Sequence, residues 1–571
     1  MIVSPKNFWR TFAKQRGTMN NNTPLSGVTD ANENLQTQRC DLSENTNSNT
    51  QVLPQMSADG NANYVVQPPL SVPQPQIDAT RTEEAIGKEV EAERKANEKF
   101  YNRPLDKEQR KGQRLLKRMI RSGRKKEQKY PPEIRLQKKL EAIANLQCNN
   151  KRWYKLDNAA LMYPLVARGE SISVFRVSAL LKDPVDPVQL QYAVNEIAPR
   201  FPTICGSVKN GLFWPYIERP AIPITVKPQT KVPGRPIKVD GRRSQVRINY
   251  IGNQISVEFF HSATDGTGGI IFLNSLLRRY FQRTGHPVDD RTNCYDFRDL
   301  PNSDEIRDNF AKVAVKRNPP PCPKPIKVSP IKGDLYKNRK YVTVRGICSA
   351  KQLKEVAHRH NATVTEYLGA LQLLALDRLA TVTNSPQKRP IRVMIPVNLR
   401  KVYNVETIRN FSSYIFYQYS GQTDIDEIIA DIKKQTAEQL TDDYFRGMVS
   451  FNYNSGNSPI LKIVPLAVKR AILSLIVSRQ GDGIVNNSTL SNLGLIKAPK
   501  EFAELVVRYD FMLGKPARRT NNFTVATYND VCVIAITNPF SEKDCERLFF
   551  RELAKSGIDI AVESDIWEDA E

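Results

Sequence analysis

Ile255-Ser256-Val257-Glu258-Phe259-Phe260-His261-Ser262-Ala263-Thr264-Asp265-Gly266-Thr267-Gly268-Gly269 is the stretch from which the fold of this chain is read. Side chains on a strand alternate between faces, so Ile255, Val257, Phe259 and His261 share one face. The first three are apolar, which places His261 at the end of a buried face, beside a loop. The glycines that follow permit a tight turn and close backbone approach. An amphipathic helix over 269–283 then begins. A histidine held this way is partly desolvated, fixed by a rigid strand and open to a ligand at the strand end. Neutral imidazole there can take a proton from an alcohol or amine near pH 7. The plainer alternative is a satisfied core histidine, with Asp265 capping the helix.

Outward from this stretch, period-two patterns and turn signals predict strands and hairpins on both sides. Residues 171–181 read as a strand and 187–198 as a helix. A hairpin is expected around Asn210-Gly211 and another around Gly252-Asn253. A proline-rich connection at Pro319, Pro320, Pro321, Pro323 and Pro325 separates two halves. In the second half, strands are expected at 341–344, 391–396, 411–419, 505–511, 523–527 and 531–537. A short strand near 558–562 closes the chain. Helices are expected at 350–360, 365–380, 425–440, 465–477 and 542–555. Each half is thus a mixed sheet with helices, an α/β or α+β arrangement.

The pattern H-x-x-x-D-G at His261, Asp265 and Gly266 resembles the signature of the chloramphenicol acetyltransferase-like superfamily. That superfamily includes chloramphenicol acetyltransferases, alcohol acetyltransferases, BAHD acyltransferases and the condensation domains of peptide synthetases. Further segments are similar to theirs, in order. Trp153-Tyr154-Lys155-Leu156-Asp157 resembles the first segment. Pro396-Val397-Asn398-Leu399-Arg400 resembles the asparagine–x–arginine segment of the second half, and Arg409-Asn410-Phe411 opens the next strand. Ser491-Asn492-Leu493-Gly494 resembles a Ser-Asn-x-Gly loop. Tyr509-Asp510-Phe511-Met512-Leu513-Gly514-Lys515-Pro516 is similar to the BAHD aspartate–phenylalanine–glycine–tryptophan–glycine motif, with Met512 and Leu513 in place of its inner pair. Phe260 stands where many members have a first histidine.

The resemblance implies a two-domain fold and a chemistry. His261 would be the general base for an acceptor alcohol or amine attacking an acyl thioester. Asp265 would be structural, turned away from the reaction and paired with an arginine, Arg400 in first place and Arg200 in second. Gly266 N–H and the side chains of Ser491 and Asn492 would be donors to the oxyanion, with Asn398 and Arg400 as further supporting residues. The co-substrate would be acyl-CoA, with acetyl-CoA the expected form, in a tunnel between the halves. No metal is expected. Two other functions stay open at this point. One is transfer from a carrier-protein thioester, as in condensation domains. The other is a non-catalytic scaffold of the same fold that binds nucleic acid or an anionic surface through a basic arm.

Composition sets the remaining expectations. The chain has 571 residues and a net charge of +24, from 84 Lys+Arg against 60 Asp+Glu. Residues 103–139 alone hold 15 Lys/Arg and four Asp/Glu, a basic arm that suits an anionic partner. Residues 1–80 are polar and low in complexity and read as a disordered tail. The expected organisation is that tail, a charged helical arm or linker over 81–148, a first acyltransferase half over 149–335 and a second over 336–571. The most apolar long stretch, 460–477, is interrupted by Lys462, Pro465, Lys469 and Arg470, so a membrane-spanning helix is not expected. No secretory signal is read at the N-terminus. The eight cysteines are scattered without a C-x-x-C pair, which fits a reducing cytoplasm and argues against a zinc ribbon. His286, His358 and His360 have no metal-ligating spacing. There is no Walker loop and no G-x-S-x-G motif.

Overall fold

The structure is a computed structural model. It describes residues 110, 111, 114, 117, 131–144, 153–166, 173–331, 333–336, 341–383, 385, 389–479, 485–514 and 521–565. The tail expected over 1–80, most of the arm expected over 81–148, and Lys515-Pro516 of the last motif lie outside the described residues.

The strands of the first half are β1 (Tyr154–Lys155), β2 (Val174–Leu181), β3 (Ser207–Asn210), β4 (Pro215–Glu218), β5 (Lys227–Pro228), β6 (Val246–Ile251) and β7 (Gln254–Phe260). Those of the second are β8 (Val342–Ser349), β9 (Arg392–Asn398), β10 (Ser412–Gln418), β11 (Ser488–Leu495), β12 (Val506–Leu513), β13 (Asn521–Tyr528), β14 (Val531–Asn538) and β15 (Ile560–Asp565). They build a five-stranded sheet in the order β12-β2-β7-β6-β5, a seven-stranded sheet in the order β10-β9-β11-β13-β14-β8-β15, and a small sheet β1-β4-β3. Both large sheets are mixed: β5 runs parallel to β6 in the first, and β11 runs parallel to β9 and β13 in the second. The mixed α/β class expected from the sequence is the one observed.

The division at residue 335 does not separate the sheets. β12 belongs to the second half in sequence, yet it pairs antiparallel with β2, placing Phe511 opposite Val177 and Asp510 opposite Ser178. The second half thus supplies an edge strand to the sheet that carries His261. The proline-rich connection is held against the helix Asp442–Gly456, where Gly447 lies so close to the Pro321 carbonyl that a Cβ would sit 2.6 Å from it. That helix was not expected. Thr441 caps it by accepting from Tyr444 N, and Phe445, Met448 and Val449 are its buried face.

Two hydrophobic cores follow the sheets. One packs the helix Gly266–Arg283 through Phe272, Leu273, Leu276 and Leu277 onto Phe175, Val177, Val257 and Phe259. The other packs the helices Val364–Val382 and Asp544–Lys555 through Leu368, Leu371, Phe549 and Leu553 onto Val393, Phe523, Ile534 and Ile536. The helix Pro132–Ala144 buries Leu140, Ala142 and Ile143, and Asn195 Nδ2 donates to the Ile143 carbonyl. The end of the segment read as a charged arm or linker is therefore docked on the helix Pro187–Ile197, with Ala142 and Ile143 against Val188 and Tyr192.

Local departures have local causes. The first hairpin turns through residues 211–214, with Gly211 N donating to Trp214 O and Asn210 opposite Pro215. A two-residue Asn-Gly turn would have put Leu212 and Trp214 into the ladder and Pro215 inside the strand, whereas a proline is tolerated at a strand's first position. At the second hairpin Ile251 faces Gln254 and Gly252 takes φ +53°, as the Gly-Asn signal required.

Candidate active site

His261 follows the last residue of β7. Its backbone N–H donates to Ser173 O at 2.9 Å. Tyr163 stacks on the imidazole with centroids 4.7 Å apart and planes 9° apart, and Phe175 meets it edge-on at 5.1 Å. Nδ1 lies 3.2 Å from Asn410 Oδ1. With the amide oxygen facing the ring, Nδ1 carries the proton and Nε2 keeps the lone pair. Burial pushes the imidazole pKa down, and Asp265 and Asn410 only partly oppose it. The ring is therefore held neutral, in the tautomer that presents a base at Nε2, while His261 itself keeps some solvent access.

Asp265 faces away from that ring. It caps the helix Gly266–Arg283, its Oδ1 accepting from Gly268 N at 3.1 Å. Arg400 reaches it from the second half in a two-pronged pair, Nη1 to Oδ2 at 2.8 Å and Nη2 to Oδ1 at 2.9 Å. Phe411 N adds a bond to Oδ2 at 2.9 Å. Burial opposes ionisation of Asp265, but Arg400 and the two backbone donors outweigh it and hold the carboxyl below its usual range. Arg400 is oriented in turn by the carbonyls of Thr407 and Arg409 and by Asn398 Oδ1. Arg200, the second choice, is paired with Glu305 at 2.8 Å and lies over Tyr295.

The glycines allow the close backbone approach expected of them, but within a helix rather than a turn. The helix begins at Gly266, three residues earlier than the sequence suggested, so Gly266, Gly268 and Gly269 sit in its first turn rather than in a loop. They are small because neighbours press on them. A Cβ at Gly268 would collide with the Thr264 hydroxyl and the Ile408 carbonyl, and one at Gly266 would sit 2.6 Å from Leu493. Thr264 Oγ1 also donates to that Ile408 carbonyl at 2.6 Å. Since a backbone oxygen held in place cannot move aside, Gly268→Ala should cost about 1–3 kcal/mol. Urea unfolding of the full chain measures it, and an unchanged midpoint would contradict this packing.

The other expected site residues divide. Asn398 caps the short helix Leu399–Tyr403 through Arg400 N, and its Nδ2 donates to Thr267 Oγ1 at 3.2 Å, so it bridges Arg400 and the helix after His261. Gly266 N–H is at the helix N-terminus, where no intrahelical partner exists. Ser491 and Asn492 are not in a loop. They belong to β11, opposite Thr524 and Val525, and the strand bulges only after Asn492. Asn492 Nδ2 donates to Thr365 Oγ1, and its Oδ1 accepts from Gly494 N. Its amide is thus engaged by Thr365 and Gly494. Asp510 lies within β12 between Arg345 and Arg508.

Two neighbours of His261 were not foreseen as such. Tyr163 comes from the five-residue helix Met162–Val166, too short to show a periodic pattern. Asn410 was noted for its place in a motif, and its contact with His261 appears only in the fold. Arg409 beside it is paired with Asp157 at 3.1 Å, which ties the Trp153–Asp157 segment to the second half. No group of acidic, cysteine or histidine residues suited to a metal ion occurs among the described residues.

No family model matches the chain. Two uncharacterised Mycobacterium tuberculosis proteins, MT2362 of strain CDC 1551 and Rv2305 of strain H37Rv, are 27% identical to it over 263 residues. The matched region is 44% of this chain and 58% of each relative. Among solved structures, polyketide synthase associated protein 5 from M. tuberculosis aligns with 70% of this chain and 96% of its own, at 15% identity and a TM-score of 0.42. The first condensation domain of the CDA synthetase aligns over 71% and 97%, at 13% identity and 0.48. The starter condensation domain of rhizomide synthetase, solved with C8-CoA and Leu-SNAC, aligns over 71% and 94%, at 9% identity and 0.47.

Proposed function

We propose that this chain is an O- or N-acyltransferase that moves an acyl group from a thioester, in the first instance acetyl-CoA, to a small alcohol or amine. The observation that carries the reading is the state of His261: a neutral imidazole at a strand end, Nδ1 held by Asn410, Nε2 free to accept. The acceptor hydroxyl or amine gives its proton to Nε2 as its oxygen or nitrogen attacks the thioester carbonyl. The tetrahedral oxyanion then collapses, breaking the C–S bond, and the proton on Nε2 passes to the leaving thiolate. Gly266 N–H is a donor available to the oxyanion. Ser491 and Asn492 are weaker candidates for that role, given their place in β11. Residues 149–335 and 336–571 act as the two catalytic halves, with β12 exchanged between them.

The test is release of free thiol from acetyl-CoA by the purified full chain, over a panel of alcohols and amines. The geometry at His261 serves a carrier-bound thioester equally well. A phosphopantetheinyl carrier loaded with the same acyl group belongs in the same assay, and its preference over CoA would move the donor to the carrier class. Absence of turnover with every donor and acceptor, beside an effect lost on deletion of the basic arm, would favour the scaffold reading.

A pH profile adds an independent check. Burial lowers the pKa of His261, so the base form persists to pH values below the ordinary histidine midpoint of about 6.5. The acid limb of kcat/KM is therefore expected below that midpoint. A limb well above it would mean that another group is titrating.

A further inference from the structure

The most apolar long stretch of this chain, 460–477, lies on the helices Pro459–Ile463 and Leu466–Arg479, with Leu466 and Leu473 buried and other apolar residues at the surface. Ile463 is 73% exposed and Val468 47%, and Ala467 and Ala471 are exposed beside them. The hairpin tip between β3 and β4 adjoins it and is apolar too, with Leu212 72% and Phe213 39% exposed. The two are tied together. Leu466 N donates to Leu212 O at 2.9 Å, and Lys469 Nζ donates to Phe213 O at 2.7 Å while lying over the Trp214 ring. Arg470 Nη2 donates to Asn210 Oδ1 at 2.9 Å. The aliphatic side chains at the tip and on the helix are thus held out by a fixed framework.

The charged side chains on the patch itself are cations. Between residues 459 and 473 they are Lys462, Lys469 and Arg470, with no Asp or Glu, and the tip 208–217 holds one lysine and no acid. Lys462 is exposed, Arg470 half-buried and Lys469 buried. Glu218, the nearest acid of the hairpin, is paired with Lys209. Exposed apolar side chains grouped in this way point to a partner. Aliphatic and aromatic tips flanked by cations alone match a bilayer with anionic headgroups, where the tips enter the acyl boundary and the cations meet phosphates.

We infer that the face formed by Leu212, Phe213, Ile463 and Val468, with Lys462 and Arg470 around it, docks on an anionic phospholipid surface. The face adjoins the candidate site, since Arg470 also donates to the Pro164 carbonyl at 3.3 Å and Tyr163, the preceding residue, covers His261. The inference goes beyond acyl transfer and does not depend on it.

Flotation of the full chain with vesicles tests it. One set is pure phosphatidylcholine; the other is two parts phosphatidylcholine to one part phosphatidylserine. The chain is expected to float with the second and much less with the first. Leu212→Asp/Ile463→Asp should reduce the floated fraction roughly tenfold or more, because two aliphatic side chains no longer leave water. Lys462→Glu should reduce it less, through repulsion from phosphate. Both variants change exposed side chains, and an unchanged unfolding midpoint shows that they fold. No flotation with either vesicle would overturn the inference. So would flotation that the double aspartate variant leaves intact, because the basic arm would then be the anchor. Binding to polyglutamate that is lost in the same variant, without flotation, would assign the face to an acidic protein instead.

Discussion

Replacing His261 by alanine lowers the rate of thiol release by roughly 10²–10⁴-fold, the span a positioned general base contributes. The loss falls on kcat more than on KM, because the imidazole acts on the proton in flight rather than on ground-state binding. Folding is little affected. His261 directly follows β7, its backbone bond to Ser173 O does not involve the side chain, and the core beneath is made by Val257 and Phe259. The variant should keep its unfolding midpoint to within the small loss of one stacked ring. Thiol release at the parental rate would end the assignment of His261 as base. Asn410→Asp sharpens the result. A carboxylate at that position would stabilise the imidazolium and raise the His261 pKa, so the acid limb should move to higher pH while the maximal rate is retained in part. A merely structural Asn410 would leave the limb where it was.

Much of this site is readable in the sequence for reasons that can be named. The alternation through Ile255, Val257 and Phe259 gives the face of β7, and Asp265 before a glycine-rich start gives the helix cap. Arg400 as the partner of Asp265 comes from the resemblance of Asn398-Leu399-Arg400 to the superfamily's segment and from no local pattern. What alternation cannot give is a strand's neighbour. Val506–Leu513 reads as a strand, but nothing local says that it pairs with β2 across the halves. For the same reason the partner of His261 is hidden: Asn410 is 149 residues away and meets it only through the order of the sheets.

Other elements were misread because one residue type outweighed the pattern. Ser491-Asn492-Leu493-Gly494 looks like a turn, since Ser, Asn and Gly are turn formers. In the fold the glycine takes φ +68° within a bulge, and the strand continues on both sides of it. The helix Asp442–Gly456 was overlooked for its Gly447, Asn452 and Asn454, although Thr441-Asp442-Asp443 is a sound N-terminal signal. The glycines after His261 suggested a loop, whereas close packing rather than an unusual φ explains Gly268.

The largest effect on stability is expected at Arg400. Asp265 is 6% exposed, and its carboxylate serves both halves: it caps the helix of the first and binds Arg400 and the Phe411 N–H of the second. Arg400→Ala leaves that carboxylate buried with two backbone donors and no counter-charge, a change that costs about 3–5 kcal/mol. Arg400→Lys should restore only part, since a single ammonium cannot reproduce the two parallel bonds. The Arg400→Ala/Asp265→Asn double variant should be less destabilised than the sum of its parts, because the second change removes the stranded charge. The stability of Asp265 as an anion also sets a pH direction. Its carboxyl is held below the ordinary range, so its stabilising effect is complete above the unfolded carboxylate pKa of about 3.9 and is lost as the pH falls through the lower folded value. Urea titrations of the parent, both Arg400 variants, Asp265→Asn and the double variant at neutral pH measure these differences. Activity separates the structural role from a relay. Asp265 makes no hydrogen bond to His261, whose Nδ1 is held by Asn410, so Asp265→Asn should lower the rate only as far as it loosens the loop, well short of His261→Ala. Without the aspartate charge the His261 pKa falls further, and the acid limb should move to lower pH. An Asp265→Asn variant that stays folded yet loses as much activity as His261→Ala would show that the carboxylate acts on the imidazole after all.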